Sequence, residues 1–367
     1  MAHQYRYKSI QINSREVLID DIISGIAESR TPFELSTFGF IREWFAGVEE
    51  FTLQTSGSTG APKEMKFARW QMVASAEATI SALQLGPGMR ALVCLDTRYV
   101  AGKMMLVRCF VGQMGIVAVE PSANPLAGLD NQKIDFAALV PYQLHHILST
   151  DQLRLSQIAL IIVGGAPVSG KILPSLEILP TRIILTYGMT ETLSHVALQH
   201  LNGPAKSDEF FVLPGIEITK DTRGCLKINA GYLSEPVVTN DLAELTSRNS
   251  FRWLGRIDNV INTGGVKVSP ESIEKKLESL KSAINLHGRF IISSIPDSLL
   301  GEKVICVVEE EDSAVERKDR LFADFSTWLS RFERPREIYF IYPFPETPSG
   351  KVDRLKIRKL AVEQGSD

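Results

Sequence analysis

Thr55-Ser56-Gly57-Ser58-Thr59-Gly60-Ala61-Pro62-Lys63 follows directly on Phe51-Thr52-Leu53-Gln54, whose apolar–polar alternation predicts a short strand. Hydroxyls, two glycines and a lysine within nine residues are the composition of a polyphosphate-binding loop. Glycine lets backbone N–H groups approach phosphate oxygens, hydroxyls add donors and the lysine adds charge. The spacing is not G-x4-G-K-[ST]. Counted from Gly57, Pro62 precedes Lys63 and Glu64 follows it, so this loop is not expected to cradle phosphate at a helix N-terminus. The plain alternative is a Ser/Thr/Gly surface linker, and the rest of the chain decides between the two.

Composition narrows the class. The 367 residues suffice for two or three domains with a sizeable core. With 44% hydrophobic and 23% charged residues the chain is an ordinary globular protein, and a net charge of −3 offers no footprint for nucleic acid or anionic lipid. Cys94, Cys109, Cys225 and Cys306 are scattered without C-x-x-C pairing and read as buried thiols of a reducing compartment. No apolar run reaches the ~18 residues of a membrane span, and the N-terminus lacks the apolar core of a signal peptide. A soluble cytoplasmic protein is expected.

Outward from the loop, Arg15 to Ala27 and Phe38 to Phe45 each predict a helix. From Phe51 to about Gln199, buried-strand runs (Ala91 to Leu95, Gly115 to Val119, Phe136 to Val140, Ile158 to Val163, Arg182 to Thr186) alternate with helical stretches such as Phe67 to Leu85 and Val100 to Gly112. That is an α/β pattern with a mostly parallel sheet covered on both faces. Ligands in such sheets sit beyond the carboxyl ends of the strands, where Thr55 to Lys63 and Tyr187 to Thr192 both fall. Between Phe210 and Leu254 the period shifts towards two, a small β-rich part with a hairpin turning at Lys220 to Gly224. After Arg256 to Asn259 comes a helix (Pro270 to Lys281), two strands (Arg289 to Ser293, Lys303 to Val308), a helix (Glu316 to Phe332) and a strand (Glu337 to Ile341), enough for an α+β domain. The expected domains are 1–257 and 258–367.

Several further stretches carry chemistry, each with an ordinary explanation beside it. Tyr187-Gly188-Met189-Thr190-Glu191-Thr192 places a carboxylate beside hydroxyls after a buried strand, which suits Mg²⁺ with ATP phosphates; a helix cap by Thr190 explains it equally well. Gly164-Gly165-Ala166-Pro167 would let a flat ligand lie on bare backbone, or is a tight turn. Asp241 in Thr239-Asn240-Asp241 could accept ribose hydroxyls. Gly255-Arg256-Ile257-Asp258, with Gly264-Gly265-Val266-Lys267-Val268-Ser269-Pro270-Glu271, forms a polar joint that can absorb rotation. Pro345-Glu346-Thr347-Pro348-Ser349-Gly350-Lys351 presents one lysine on a stiffened loop.

In this order, TSGSTGAPK, GGAP, YGMTET, TND, GRID, GGVKVSPESIE and PETPSGK resemble the adenylate-forming (AMP-binding) superfamily: acyl- and aryl-CoA ligases, luciferases and carrier-loading adenylation domains. The resemblance runs from about Phe51 to Arg354. It implies a large N-terminal domain with parallel sheets and a small β-rich subdomain, plus a small mobile C-terminal domain. It implies ATP, Mg²⁺ and coenzyme A as cofactors and a small carboxylic acid as substrate. By that resemblance Thr55, Ser56, Gly57, Ser58, Thr59, Gly60 and Lys63 wrap the ATP phosphates. Gly164, Gly165, Ala166, Pro167, Tyr187 and Gly188 wall the adenine slot, Thr190 contacts the α-phosphate and Glu191 holds Mg²⁺. Asp241 and Arg256 take the ribose, Asp258 is the hinge, Lys351 is the adenylation lysine, and Gly264 and Gly265 lie near the thiol's path.

Two departures bear on the acid. The phosphate loop begins early, at Thr55, so the usual N-terminal subdomain is minimal, and a homodimer that covers the gap is expected. Tyr99-Val100-Ala101-Gly102 stands where relatives often carry histidine before the glycine. Compactness, with Glu191 to Ala197, resembles the o-succinylbenzoate–CoA ligases of menaquinone biosynthesis. Their acid has a second carboxylate that does not react and that calls for a cation. Arg98, Lys103 and Arg108 are candidates for it, and Tyr99, Gly102, Ser194 and His195 for the rest of the acid pocket. The alternatives are another aryl- or medium-chain acid–CoA ligase, a carrier-loading adenylation enzyme, and a non-catalytic acyl-adenylate-binding regulator.

Overall fold

The computed structural model describes residues 8–54, 64–129, 132–166, 168, 170–281, 283–284, 286, 288–311, 315–346 and 352–365. Ser9–Ile12 (β1) and Arg15–Leu18 (β2) form a hairpin, followed by the helices Ile19–Ile23 (α1) and Pro32–Phe45 (α2). The helix expected over Arg15 to Ala27 is therefore a strand and one short helix: Val17 is buried between exposed Glu16 and Leu18, a period of two. α2 starts at Pro32, before the expected Phe38, because the Thr31 hydroxyl accepts from the Glu34 amide and Pro32 occupies the first turn.

Glu50–Gln54 (β3) and Glu64–Ala68 (β4) pair with each other, antiparallel, with Gln54 opposite Glu64. The expectation that Thr55 to Lys63 leaves a strand of the main sheet is corrected: residues 55–63 join the two strands of a separate hairpin. Next come Arg69–Leu83 (α3), Arg90–Val93 (β5), Val100–Gly112 (α4), Gly115–Ala118 (β6), Ile134–Leu139 (β7), Pro141–Thr150 (α5), Gln152–Leu155 (α6), Ile158–Val163 (β8), Leu173–Glu177 (α7) and Arg182–Gly188 (β9). Then follow His195–His200 (β10), Phe210–Val212 (β11), Ile216–Lys220 (β12), Cys225–Ala230 (β13), Val237–Leu245 (β14) and Ser250–Arg256 (β15). The main sheet runs β12-β13-β14-β15-β11-β10-β9-β8-β7-β5-β6-β1-β2. From β9 to β1 neighbouring strands are parallel, and β10, β11 and β2 pair antiparallel.

Alternation within β7 and β8 explains why both faces are covered. Phe136, Ala138, Leu160 and Ile162 join one core with α2, α3 and α4, while Ala137, Leu139, Ile161 and Val163 join a second with α5 to α7. The remaining elements are Ile261–Thr263 (β16), Val266–Val268 (β17), Pro270–Leu280 (α8), Phe290–Asp297 (β18), Gly301–Val308 (β19), Val315–Trp328 (α9), Glu337–Phe340 (β20) and Arg354–Gln364 (α10). β16 to β20 form a second sheet, with α8 and α9 packed on one face and α10 on the other. The chain divides into two compact units: Met1–Thr219, Lys227–Val237 and Leu245–Arg252 in one, and Lys220–Leu226, Val238–Glu244 and Trp253–Asp367 in the other. Among the described residues no helix is long and apolar enough to cross a membrane.

Candidate active site

In the first unit, β8 and β9 are parallel neighbours with Val163 opposite Leu185, so Gly164 lies beside Thr186 at the carboxyl ends. A Cβ on Gly164 would stand 2.3 Å from Thr186 Oγ1, and Gly165 has φ +90°, a conformation glycine adopts freely. Gly164, Gly165 and Ala166 thus form a bare turn next to Tyr187 and Gly188. Those two residues end β9 itself, where Tyr187 packs edge-on against Phe251 at 5.2 Å.

Past Gly188 the chain makes a single 3-10 turn, Thr190–Thr192, so the helix cap that could have explained this motif is absent. Buried Thr192 closes the turn: its hydroxyl accepts from the Met189 amide and lies 2.7 Å from Ser194 O. Leu193, fully buried, is held at φ 66°, ψ −41°, a strained backbone for a residue with a side chain. Glu191 is exposed and has no hydrogen-bond or ion-pair partner among the described residues, which suits an oxygen ligand for Mg²⁺.

The turn delivers Ser194 and His195 to Arg108. This arginine is 2% exposed, in a helical run of methionine, leucine, valine and phenylalanine. Its Nη2 donates to Ser194 Oγ at 2.6 Å and reaches His195 Nδ1 at 3.4 Å. A guanidinium only donates, so Nδ1 is the bare nitrogen and Nε2–H donates to Thr79 Oγ1 at 3.0 Å. Burial and the neighbouring Arg108 charge hold the His195 pKa well below its usual 6.5, so this imidazole is neutral. Burial also lowers Arg108 itself to about 10. No carboxylate pairs with it among the described residues, and its Nε makes no hydrogen bond to them. Buried groups of this kind are seldom left unsatisfied in a finished core.

Two expected outcomes follow locally. Unfolded His195 takes up a proton near pH 6.5 that the folded state refuses. Its contribution is complete above that pH and is lost on acidification, by up to about 1.4 kcal/mol per pH unit. Denaturant unfolding of wild type and His195→Gln at pH 7.5 and 5.5 should show the wild-type advantage shrinking by that slope. Secondly, a Cβ on Gly188 would stand 2.4 Å from His195 Cα and Ser194 O. Gly188→Ala should cost about 1–3 kcal/mol in the same assay, because backbone atoms there cannot give way.

The other acid-pocket candidates are placed differently. Arg98 is exposed and doubly bonded to Asp96. Lys103 points to Thr52 O at 3.4 Å. Tyr99 is the exposed residue before α4, and Gly102 lets α4 pass the 95–96 backbone, since a Cβ there would meet Asp96 O at 2.4 Å.

In the second unit, buried Asp241 accepts from Trp253 Nε1 at 3.1 Å, and Arg256 Nη1 lies 3.8 Å away. Arg256 also donates to Asp258 at 2.8 Å, and Asn240 Nδ2 donates to both oxygens of Asp258 at 3.1 Å. The TND and GRID motifs are therefore one cluster. Gly264 and Gly265 turn between β16 and β17 with φ of +60° and +80°. Thr55, Ser56, Gly57, Ser58, Thr59, Gly60, Lys63, Pro167 and Lys351 lie outside the described residues. Thr79, Ser75, Tyr232 and Trp253 carried no signal in the sequence. Arg108 did, as a charge within Met104 to Val111.

Comparison with known proteins gives a consistent picture. The profile described as "AMP-binding enzyme" matches residues 51–218. A probable 2-succinylbenzoate–CoA ligase of Mycobacterium tuberculosis is 28% identical over 84% of this chain and 84% of its own length. A solved acyl-CoA synthetase (AMP-forming)/AMP-acid ligase II-like protein from Dyadobacter fermentans is 40% identical, over 93% of this chain and 97% of its own, with a TM-score of 0.63. The o-succinylbenzoate coenzyme A synthetase of Bacillus subtilis, solved with ATP and magnesium ion, shares the fold at a TM-score of 0.67 and 19% identity, over 83% of this chain and 69% of that one.

Proposed function

This chain belongs to the AMP-binding enzyme family and is an AMP-forming acid–thiol ligase, and from that premise we propose that its acid is o-succinylbenzoate. The observation that carries the choice is Arg108: a buried cation without a carboxylate, donating to a serine three residues beyond Glu191. A dicarboxylic aromatic acid would bring the missing carboxylate to the unused Nε, where a charge-assisted pair in a dry site is strong. The buried Ser75 and Tyr232 hydroxyls offer further donors.

In this reading the reacting carboxylate attacks the α-phosphorus of ATP in line, pyrophosphate leaves, and the thiol of coenzyme A then displaces AMP. The chain supplies position and charge, the main protein contributions to such transfers. Thr55 to Lys63 would wrap the phosphates, Gly164 to Pro167 with Tyr187 and Gly188 would flank the adenine, and Thr190 would contact the α-phosphate. Trp253 orients Asp241 for the ribose with Arg256 nearby. Mg²⁺, when bound at Glu191 with ATP phosphates, would neutralise developing charge. Lys351 would bridge the carboxylate and α-phosphate in the first step only. We place the domain boundary at 257/258, Asp258 as the hinge, Gly264 and Gly265 on the thiol path, and a homodimer as the assembled form.

The test is acid-dependent pyrophosphate release with ATP and Mg²⁺ over a panel of o-succinylbenzoate, benzoates and alkyl acids, with and without coenzyme A. Preference for o-succinylbenzoate with a thioester product is expected. Turnover confined to monocarboxylic acids would remove this substrate while keeping the enzyme class.

A further inference from the structure

We infer that Thr79 is a positioning residue for acid selection: through the tautomer of His195 it fixes the plane of the Arg108 guanidinium. This rests on the reading of Arg108 as the cation for a spectator carboxylate. Three elements of the first unit meet here, with Thr79 on α3, Arg108 on α4 and His195 opening β10, and all three residues are buried. Arg108 Nη2 carries two hydrogens and has two acceptors, Ser194 Oγ at 2.6 Å and His195 Nδ1 at 3.4 Å. Two acceptors on one nitrogen set the plane of the guanidinium, and so set where its Nε edge points.

The second acceptor exists in only one form of the imidazole. Neutral histidine has one bare nitrogen, and Nδ1 must be that nitrogen to accept from Arg108. The far side of the ring makes the same choice independently. The Thr79 hydroxyl donates to Ser75 O, one turn back on α3, at 3.2 Å, which leaves its oxygen to accept from His195 Nε2–H at 3.0 Å. Donors therefore run in one direction from Arg108 through His195 and Thr79 to the Ser75 carbonyl. Neither end can reverse it, because a guanidinium does not accept and a carbonyl does not donate. A threonine that merely satisfied a buried ring would do so wherever Arg108 pointed. What the directed chain adds is a guanidinium already oriented before an anion arrives, so less side-chain freedom is lost on binding. Without the Thr79 oxygen the ring either keeps an unsatisfied buried N–H or turns, and on turning Nδ1 leaves Arg108.

The experiment measures acid-dependent pyrophosphate release by the full chain with two acids, o-succinylbenzoate and the analogue with hydrogen in place of the spectator carboxylate. Thr79→Val, nearly isosteric but without the hydroxyl, should lower the preference for the diacid about tenfold, through KM for o-succinylbenzoate and not through kcat. Thr79→Ser, which restores the oxygen, should return the preference to within about threefold of wild type. Nitrogen-15 spectra of the imidazoles, with His195 identified by its absence in His195→Gln, should show wild-type His195 protonated at Nε2 alone. Protonation at Nδ1 overturns the inference whether or not any Thr79 variant folds. So does an equal fall for both acids, or a preference unmoved by Thr79→Val. Arg108→Met is the reference for the underlying reading. If it abolishes the preference and Thr79→Val does not lower it, the inference alone fails. If Arg108→Met leaves the preference intact, or wild type has none, the reading of Arg108 fails and the inference falls with it.

Discussion

Replacing Arg108 with methionine is expected to lower kcat/KM for o-succinylbenzoate by about 100- to 1,000-fold, roughly 3–4 kcal/mol of transition-state binding. The same change should leave stability within about 1 kcal/mol of wild type. The two effects differ because a buried guanidinium without a carboxylate bears its desolvation cost in the free protein and recovers it only when an anion arrives. Methionine fills similar volume without that cost, although Ser194 Oγ and His195 Nδ1 lose a donor. The measurement is steady-state kinetics on two acids, o-succinylbenzoate and an analogue in which the spectator carboxylate is replaced by hydrogen. Wild type should discriminate strongly between them and the variant hardly at all. An equal fall for both acids would mean that Arg108 shapes the pocket without reading a charge. A cooperative loss of folding would mean that it is a structural residue.

Replacing Lys351 with alanine is expected to slow adenylation by about 100- to 1,000-fold, the usual loss when one preorganised donor to a developing charge is removed. Thioester formation from supplied acyl-adenylate should be nearly unaffected, since the α-phosphate transfer is then complete. Single-turnover assays of each half-reaction check this. On either side of residues 347–351, Glu346 bridges Val352 and pairs with Arg289, and Arg354 pairs with Glu274, contacts that do not involve the lysine. Parallel loss in both steps would place Lys351 in the general structure of its domain instead.

Much of the fold was legible because buried strands and amphipathic helices write their period into local sequence. Ile158–Val163 and Val100–Gly112 have the limits their apolar runs predict. Arg15–Leu18 was misread as helix because its strand character comes from pairing with Ser9–Ile12 at the sheet edge. That Phe51 to Gln54 belongs to a separate two-stranded sheet was invisible for a similar reason, since it alternates whether or not it joins the main sheet. α10 was not anticipated, its apolar content being low and its two buried anchors, Ile357 and Ala361, meaningful only against β18 and β19.

The sequence by itself determined the family and the order of its nucleotide motifs, since glycines, hydroxyls and charges after strands report local backbone demands that need no partner to be recognised. It also offered Arg98, Lys103 and Arg108 as candidate cations for a second carboxylate. Only the tertiary structure sets these three in different surroundings. Asp96 occupies Arg98 and the Thr52 carbonyl occupies Lys103, whereas Arg108 is enclosed by α3, α4 and the turn before β10 with a donor to spare. Which charge is solvated, which is satisfied and which is buried without a partner depends on contacts between residues 86 positions apart, such as Arg108 and Ser194, and no local pattern encodes that.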